Sequence, residues 1–177
     1  MGTTGVQENG HPTLDAITAS RATPRDLDEV VDLLQANEAP RGSLTGHFTR
    51  EGVEAAIQAM PAIVARLEGR LVGVLLSSQI EASRDQPVVE QMLAAYRGEP
   101  DAYVYGPICV AEAARGRGVA RTLFERLRAE LPGREGILFV RKDNTASLRA
   151  HQRLAGMRIR GEFSVDGVTF VVLSYVG

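Results

Sequence analysis

The strongest constraint on the fold is a strand that runs into a glycine-containing loop and then into an amphipathic helix. Residues 102–110 are rich in tyrosine and valine, and Gly116 and Gly118 follow them. Residues 117–131 form a predicted helix, because one helical face collects the apolar side chains Val119, Leu123, Phe124, Leu127 and Leu131. Such a helix buries its apolar face against a sheet, so both element types are predicted in one layered fold.

Other patterns extend this order along the chain. We predict strands at residues 17–21, 63–67, 71–78, 136–140, 157–165 and 168–175, and helices after residue 23, at 50–60, from Pro87 and at 145–155. Pro107 cannot donate a ladder hydrogen bond, so the strand at 102–110 should have a bulge or an edge there. The order β, α, α, β, β, α, β, α, β, α, β, β predicts a mixed α/β sheet rather than a uniform doubly wound one.

Size and charge exclude several classes of protein. The length of 177 residues suits one domain, predicted over residues 14–177 after a polar, flexible tail at residues 1–13. The net charge of −2 gives no general attraction to nucleic acid or to an anionic membrane. No apolar run approaches the ~20 residues of a membrane helix, and no secretory signal is evident, so the cytoplasm is the expected location.

The cysteine and histidine content does not indicate a metal site. Cys109 is the only cysteine, and the three histidines show no metal-ligand spacing. Cys109 is therefore expected to be a small apolar residue in a buried strand, and no metal is expected.

The loop at residues 115–120 has the properties of an anion site. Backbone N–H groups at a helix start have no intrahelical partner, and glycine lets a phosphate approach them closely. Arg115 and Arg117 add positive charge locally. A dinucleotide fingerprint fits less well, because Arg121 occupies the place of its third glycine, and a P-loop is excluded because no Gly-Lys-Ser/Thr follows.

Two segments resemble the motifs of one enzyme family. Residues 115–120, Arg-Gly-Arg-Gly-Val-Ala, resemble the Arg/Gln-x-x-Gly-x-Gly/Ala motif of the GNAT superfamily of N-acetyltransferases. Residues 144–157 are similar to its Asn-x-x-Ser/Ala-x-x-x-Tyr/His-x-x-x-x-Gly-Phe segment, with Met157 in place of the phenylalanine. The predicted order of elements extends the resemblance to nearly the whole chain.

This resemblance implies a fold, a reaction and a cofactor site. The fold would be a mixed, mostly antiparallel sheet of six to seven strands, with helices on both faces and a splay between the fourth and fifth strands. The reaction would be transfer of an acetyl group from acetyl-CoA to a primary amine of a small molecule or peptide, by direct attack. The residues implied in cofactor binding are Ile108, Cys109, Val110, Arg115, Gly116, Arg117, Gly118, Val119, Ala120, Asn144 and Ser147.

The catalytic groups are less well defined. His151 stands where the family often has a tyrosine acid, and tyrosines from other strands are alternatives: Tyr103, Tyr105 and Tyr175. Water could relay the proton of the amine, or a glutamate could accept it: Glu38, Glu112 or Glu162.

The function has open alternatives. A non-catalytic acyl-CoA-binding module on the same fold is one, and a nucleotide-binding protein of another class is a second. Acceptor specificity is expected in the loop at 37–46, the segment at 81–100 and the last hairpin, which lie outside the cofactor motifs. The resemblance leaves a homodimer open, and neither nucleic acid nor membrane is an expected partner.

Overall fold

The computed structural model describes residues 16–177, so the predicted tail at 1–13 lies outside the described residues. Seven strands form one sheet in the order β1-β2-β3-β4-β5-β7-β6. The strands are β1 (Thr18–Arg21), β2 (Ile63–Leu67), β3 (Arg70–Gln79), β4 (Tyr103–Val110), β5 (Glu135–Arg141), β6 (Arg158–Val165) and β7 (Val168–Val176). The helices are α1 (Leu27–Ala36), α2 (Arg50–Ala59), α3 (Ile80–Ser83), α4 (Pro87–Ala95), α5 (Val119–Glu130) and α6 (Thr145–Ala155), with 3₁₀ turns at Pro24–Asp26 and Glu112–Ala114.

The elements follow the predicted order with two differences. The single turn α3 was not predicted, because four residues are too few to show a helical period. Helix α5 begins at Val119 rather than at residue 117, because Gly118 has a φ of +88° and stands outside the helix as its N-cap. None of the helices within residues 16–177 is long and apolar enough to cross a membrane.

Strands β4 and β5 form the parallel pair of an otherwise antiparallel sheet. They pair only through Tyr103–Gly136 and Val104–Ile137. Beyond these two pairs β4 and β5 separate, which confirms the predicted mixed sheet with a splay between the fourth and fifth strands.

The predicted bulge lies in β4 at Pro107. From the Leu75–Ile108 pair to the Ser77–Tyr105 pair, β3 advances two residues (77 − 75) while β4 advances three (108 − 105). An extra residue bends its strand locally. The bend therefore coincides with the part of β4 that no longer pairs with β5.

Helices cover both faces of the sheet. Val74 and Leu75 are neighbours in β3, and their side chains point to opposite faces. Val74 is buried in the cluster of α1 and α2, whereas Leu75 is buried in the cluster that contains the apolar stripe of α5. The stripe predicted for α5 is thus confirmed as a core face.

The segment between β3 and β4 is part of the core. Val89, Met92 and Leu93 of α4 are buried with Ile137 of β5 and Val172 of β7. Replacement of the whole segment would therefore remove core contacts, so its role toward an acceptor has to be tested by single substitutions.

Glu135 ties this segment to the sheet. Its buried carboxylate accepts hydrogen bonds from the Tyr96 hydroxyl at 2.9 Å and the Glu99 N–H at 2.8 Å. The Arg160 guanidinium lies over the Tyr96 ring and 3.9 Å from the same carboxylate. Burial raises the pKa of Glu135, but hydrogen bonds from Ser174, Glu99 and Tyr96 and the charge of Arg160 outweigh it, so the pKa is lowered. The group is an ionised, hydrogen-bonded anchor.

Candidate active site

A cleft of about 830 Å³ lies where β4 and β5 separate. Residues 104–110 of β4 and 138–141 of β5 line it, together with Asn144, Ser147 and His151 from the α6 region. The remaining lining comes from the loop at 43–49, α2, residues 76–79 of β3, the segment between β3 and β4, Asn37, Arg115 and further residues of α6. The cleft therefore joins the predicted cofactor segments to two of the segments predicted to hold an acceptor.

Backbone groups of β4 are available along this cleft. Ala111 donates its N–H to the Val72 carbonyl at 2.8 Å. Residues of an antiparallel strand alternate between facing the partner strand and facing away from it. Val110 and Ile108 therefore direct their N–H and C=O groups away from β3, to the side on which β5 has separated. An extended ligand could pair there as an added strand.

Arg115 links the end of β4 to the loop after α1. Its Nε donates to the Val110 carbonyl at 3.2 Å, and its Nη2 donates to Asn37 Oδ1 at 3.0 Å. Arg115 lines the cleft, and this pair of bonds fixes its guanidinium beside the start of the glycine loop.

The loop before α5 has the geometry of an anion cradle. Gly116 and Gly118 have φ values of +75° and +88°, which favour glycine. Within the described residues no side chain caps α5, and its first turn contains no acidic residue. The N–H groups of Val119 and Ala120 have no intrahelical partner. Arg115 and Arg117 are exposed beside them, so the loop suits a phosphate.

A close helix–strand contact fixes the position of this cradle. A Cβ atom on Gly73 of β3 would lie 2.7 Å from Val119 Cγ1 and 3.0 Å from Leu123 Cδ1. Only glycine permits this approach of α5 to the sheet. The first turn of α5 is thereby seated against β3, beside the end of β4.

Helix α6 and its cap bring three predicted site residues together. Asn144 caps it by accepting the Ser147 N–H at 3.1 Å, as predicted. His151 Nδ1 lies 2.8 Å from the Ser147 carbonyl, which can only accept, so Nδ1 carries the proton. Burial lowers the pKa of His151, and the bond to Ser147 offsets part of this effect. The ring is therefore neutral at pH 7, and Nε2 is an acceptor.

Tyr105 of β4 lies against His151 in the lining of the cleft. Burial raises the pKa of Tyr105, so its hydroxyl is protonated at neutral pH. Tyr103 and Tyr175 hydrogen-bond each other through their hydroxyls and are not among the lining residues. Among the three candidate tyrosines, the geometry favours Tyr105.

The predicted glutamates lie outside the cleft lining. Glu112 is exposed in its 3₁₀ turn, and Glu162 forms an ion pair with Lys142 at 2.7 Å. Glu38 accepts the Phe48 N–H at 2.7 Å. The structure does not bring Glu112 together with His151 and Tyr105, and its role as a base stays a prediction. In the described part of the chain, Asp85 is the carboxylate residue that lines the cleft.

Cys109 offers neither its thiol nor its backbone groups to the splay, because its N–H and C=O groups face β3. The side chain is buried in the cluster of α1 and α2, and Sγ lies 3.8 Å from the Leu33 carbonyl. Burial raises the pKa of the thiol to about 11, so thiolate is scarce at neutral pH. The prediction of a small buried residue holds for its side chain.

The sequence analysis missed one wall of the cleft. His47, Phe48, Thr49 and Gly52 line it, whereas the predicted acceptor loop ended at residue 46. No motif or period marks these residues, because they reach the cleft through tertiary packing. Across residues 16–177, no group of three or more His, Cys, Asp or Glu side chains is arranged to hold a metal ion.

Comparisons with known proteins agree with this geometry. Residues 28–157 match the acetyltransferase (GNAT) family, whereas no curated protein matches the chain. An N-acetyltransferase from Staphylococcus aureus Mu50 has 18% identity and a TM-score of 0.69, over 91% of this chain and 98% of that one. The putative acetyltransferase yncA from Salmonella typhimurium, with its cofactor acetyl-CoA, has 16% identity and a TM-score of 0.68 over 91% and 94% of the two chains. Arabidopsis thaliana NAA60 in complex with acetyl-CoA has 17% identity and a TM-score of 0.66 over 91% and 98%.

Proposed function

Because the chain belongs to the acetyltransferase (GNAT) family, we propose that it transfers an acetyl group from acetyl-CoA to a primary amine by direct attack on the thioester. The observation that carries the proposal is the continuity of one cleft from the unpaired edge of β4 to the loop at 43–49. One end of this cleft suits an extended thioester, and the other leaves room for a second substrate.

The residues of the cleft fit acetyl-CoA, the cosubstrate in two of the similar structures. The outward backbone groups of Ile108 and Val110 would pair with the pantetheine arm. The N–H groups at the start of α5, with Arg115 and Arg117, would hold the pyrophosphate. Asn144 and Ser147 would line the arm from the α6 side.

Tyr105 is the acid that this geometry favours. Its hydroxyl is a protonated donor without a partner among the described residues. His151 has its proton on Nδ1, where Ser147 uses it, so Nε2 can accept a hydrogen bond but has no proton to give. We therefore assign proton donation to the leaving thiolate to Tyr105, and an accepting role to His151.

A turnover assay with an amine panel tests the proposal. Acetyl-CoA would be incubated with a polyamine, an amino acid amide, an aminoglycoside and a peptide with a free N-terminus, with mass detection of N-acetyl products and of coenzyme A. We expect at least one acetylated product at a rate that depends on protein concentration. Tight binding of acetyl-CoA without any acetylated amine would instead support the non-catalytic acyl-CoA-binding module.

A small-molecule or peptide amine as the acceptor, a homodimeric assembly and a cytoplasmic location are proposals that rest on the sequence. Acceptor selectivity is proposed to reside in the 43–49 loop and the segment between β3 and β4, because both line the cleft.

A further inference from the structure

A histidine in the wall of the cleft formed by the 43–49 loop is paired with a carboxylate. His47 Nδ1 is 3.2 Å from Glu38 Oε2, and His47 lines the cleft that also contains Ile108. The His47 side chain is 76% exposed, whereas that of Glu38 is 14% exposed. The imidazole is thus open to solvent and substrate, and its carboxylate partner is largely covered.

Glu38 is held firmly enough to orient the ring. Its Oε1 accepts the Phe48 N–H at 2.7 Å, and Gln35 Nε2 donates to the Phe48 carbonyl at 2.9 Å. The hydrogen bond from the Phe48 backbone, followed by the contact with His47, lowers the pKa of Glu38. Glu38 is therefore an anion at neutral pH, and it favours the proton on His47 Nδ1. The lone pair of Nε2 is then available as a base.

The loop that carries His47 is anchored beside β4. Phe48 packs against the cluster of α1 and α2 that contains Cys109, and Cys109 is adjacent to Ile108, whose backbone groups face the splay. Asn37 at the start of the same loop accepts a hydrogen bond from Arg115. The loop is therefore tied to both β4 and the cofactor cradle.

The other titratable side chains that line the cleft serve less well as a base. They are Asp85, Tyr105, Cys109, Arg115, Arg141 and His151. Tyr105 and Cys109 keep their protons, because burial raises their pKa values. The guanidinium groups have no basic lone pair at neutral pH, and the proposed function already gives buried His151, beside Tyr105, an accepting role at the thioester. Asp85 lacks an orienting partner comparable to Glu38 among the hydrogen bonds and ion pairs of the described residues, and a carboxylate is a weaker base than imidazole.

From these contacts we infer that His47 is the general base for the acceptor amine and that Glu38 positions it. The inference rests on the proposed acetyl transfer. His47 Nε2 takes one proton from the ammonium, directly or through one water, and releases it to bulk solvent. The amine lone pair forms the C–N bond to the acetyl carbon, and the C–S bond breaks. Tyr105 protonates the departing thiolate. The nitrogen then loses its second proton, which restores the proton of Tyr105. The products are the amide, free coenzyme A and one proton.

The test compares His47→Asn with wild type. The asparagine amide can still donate to Glu38 from the place of Nδ1, but it is not a base. We expect kcat/KM for the amine at pH 7 to fall about a hundredfold, within the usual range for general base catalysis. The KM for acetyl-CoA should be unchanged. In His47→Ala, added imidazole should restore part of kcat.

Two further variants distinguish a role of Glu38 in positioning His47 from a role in holding the loop. Glu38→Gln keeps an acceptor for the Phe48 N–H but removes the charge, and we expect a loss in kcat smaller than that in His47→Asn, with an unchanged KM for acetyl-CoA. Arg41→Gln serves as the loop control, because it removes an exposed bond to the Gln35 carbonyl outside the cleft lining; it should retain wild-type kcat.

The outcomes distinguish this inference from the proposed function. A wild-type protein that acetylates no amine overturns the proposed function and this inference with it. An active wild type whose His47→Asn variant keeps more than a tenth of kcat/KM, or whose His47→Ala variant gains no kcat from added imidazole, overturns the role of His47 alone. Equal losses of kcat in Arg41→Gln and His47→Asn would also overturn the role of His47, because they would show that the His47–Glu38 pair only holds the loop.

Discussion

Tyr105 and His151 meet edge to face, with ring centroids 5.7 Å apart and an interplanar angle of 82°. Each carries a buried polar atom, the Tyr105 hydroxyl and His151 Nε2, that has no hydrogen-bond partner in the described chain. A buried polar atom left unpaired costs about 1–3 kcal/mol. Both residues line the cleft, so a bound thioester or water can supply the missing partners. The cleft therefore contains two buried polar atoms that lower the stability of the fold and that a bound ligand can pair with.

Removal of the Tyr105 hydroxyl should separate stability from activity. Tyr105→Phe deletes an unpaired polar group, so we expect an equal or higher Tm together with a fall in kcat of more than about tenfold, about 1.4 kcal/mol in the barrier. Tyr103→Phe is the matched control, because it leaves the buried Tyr175 hydroxyl without its partner; it should lower Tm and preserve kcat. A fall in kcat in Tyr103→Phe but not in Tyr105→Phe would show that the Tyr103–Tyr175 pair supplies the proton.

His151 should make the fold sensitive to mild acid. Burial holds its pKa in the folded protein below its ordinary value of 6.5, so the unfolded chain binds the extra proton first as pH falls. Stability is then fully present above pH 6.5 and decreases as pH falls through 6.5 toward the folded pKa. We expect the drop in Tm between pH 7 and pH 5 to be smaller in His151→Phe than in wild type.

The same variant tests the chemical role of His151. If Nε2 only accepts a hydrogen bond, kcat at pH 7 should fall by less than about tenfold, below ~1.4 kcal/mol in the barrier. A larger fall, with a pH profile that loses one titration, would show that His151 is the acid despite its bond to Ser147.

Gly118 can be probed with two substitutions of equal shape. Asparagine and aspartate both tolerate the left-handed conformation that this position requires, and they differ in charge. We expect Gly118→Asn to weaken acetyl-CoA binding modestly and Gly118→Asp to weaken it about a hundredfold, about 2.7 kcal/mol, by calorimetry at low salt. Equal affinities in the two variants would mean that the phosphates bind elsewhere.

Glu135 should stabilise the fold at neutral pH and lose that effect in acid. Its folded pKa lies below its ordinary value of 4.5, so its contribution is present above pH 4.5 and is lost as pH falls through the folded pKa. Glu135→Gln should cost about 1.5–3 kcal/mol at pH 7, the range for hydrogen bonds to charged groups. The Tm difference from wild type should shrink below pH 4. Glu99→Gln is the control, because Glu99 uses only its backbone N–H in this contact.

Local sequence rules predicted the bulge in β4, the glycine loop before α5 and the cap of α6, whereas tertiary packing determined the other walls of the cleft. Pro107 and Asn144 each impose a local geometry that the sequence reveals, a bulge and a side-chain cap. Gly118 was predicted inside the helix but lies outside it as the N-cap. His47 and Asp85 reach the cleft from segments far apart in the sequence. No local pattern joins them, so the sequence could indicate only whole segments as candidates for acceptor binding: the loop at 37–46, the segment at 81–100 and the last hairpin.

Glu135 shows the same limit within the core. The predicted fifth strand began at residue 136, because a glutamate does not fit an apolar strand pattern. The structure buries it because Tyr96 and Glu99, from a segment almost forty residues earlier, supply its hydrogen bonds. A hydrogen-bond partner so distant in the sequence does not change the pattern of apolar residues along the strand, so that pattern could not predict the burial of Glu135.

The order of strands has a consequence for how the protein is made on the ribosome. Strand β7 lies between β5 and β6, and all seven residues of β5 pair with it, whereas only two pair with β4. Strands β1 to β4 can pair with one another once residue 110 has left the ribosome. The β5 wall of the cleft must wait for residues 168–176, so the nascent protein pairs its first four strands before it completes the wall that a ligand would contact.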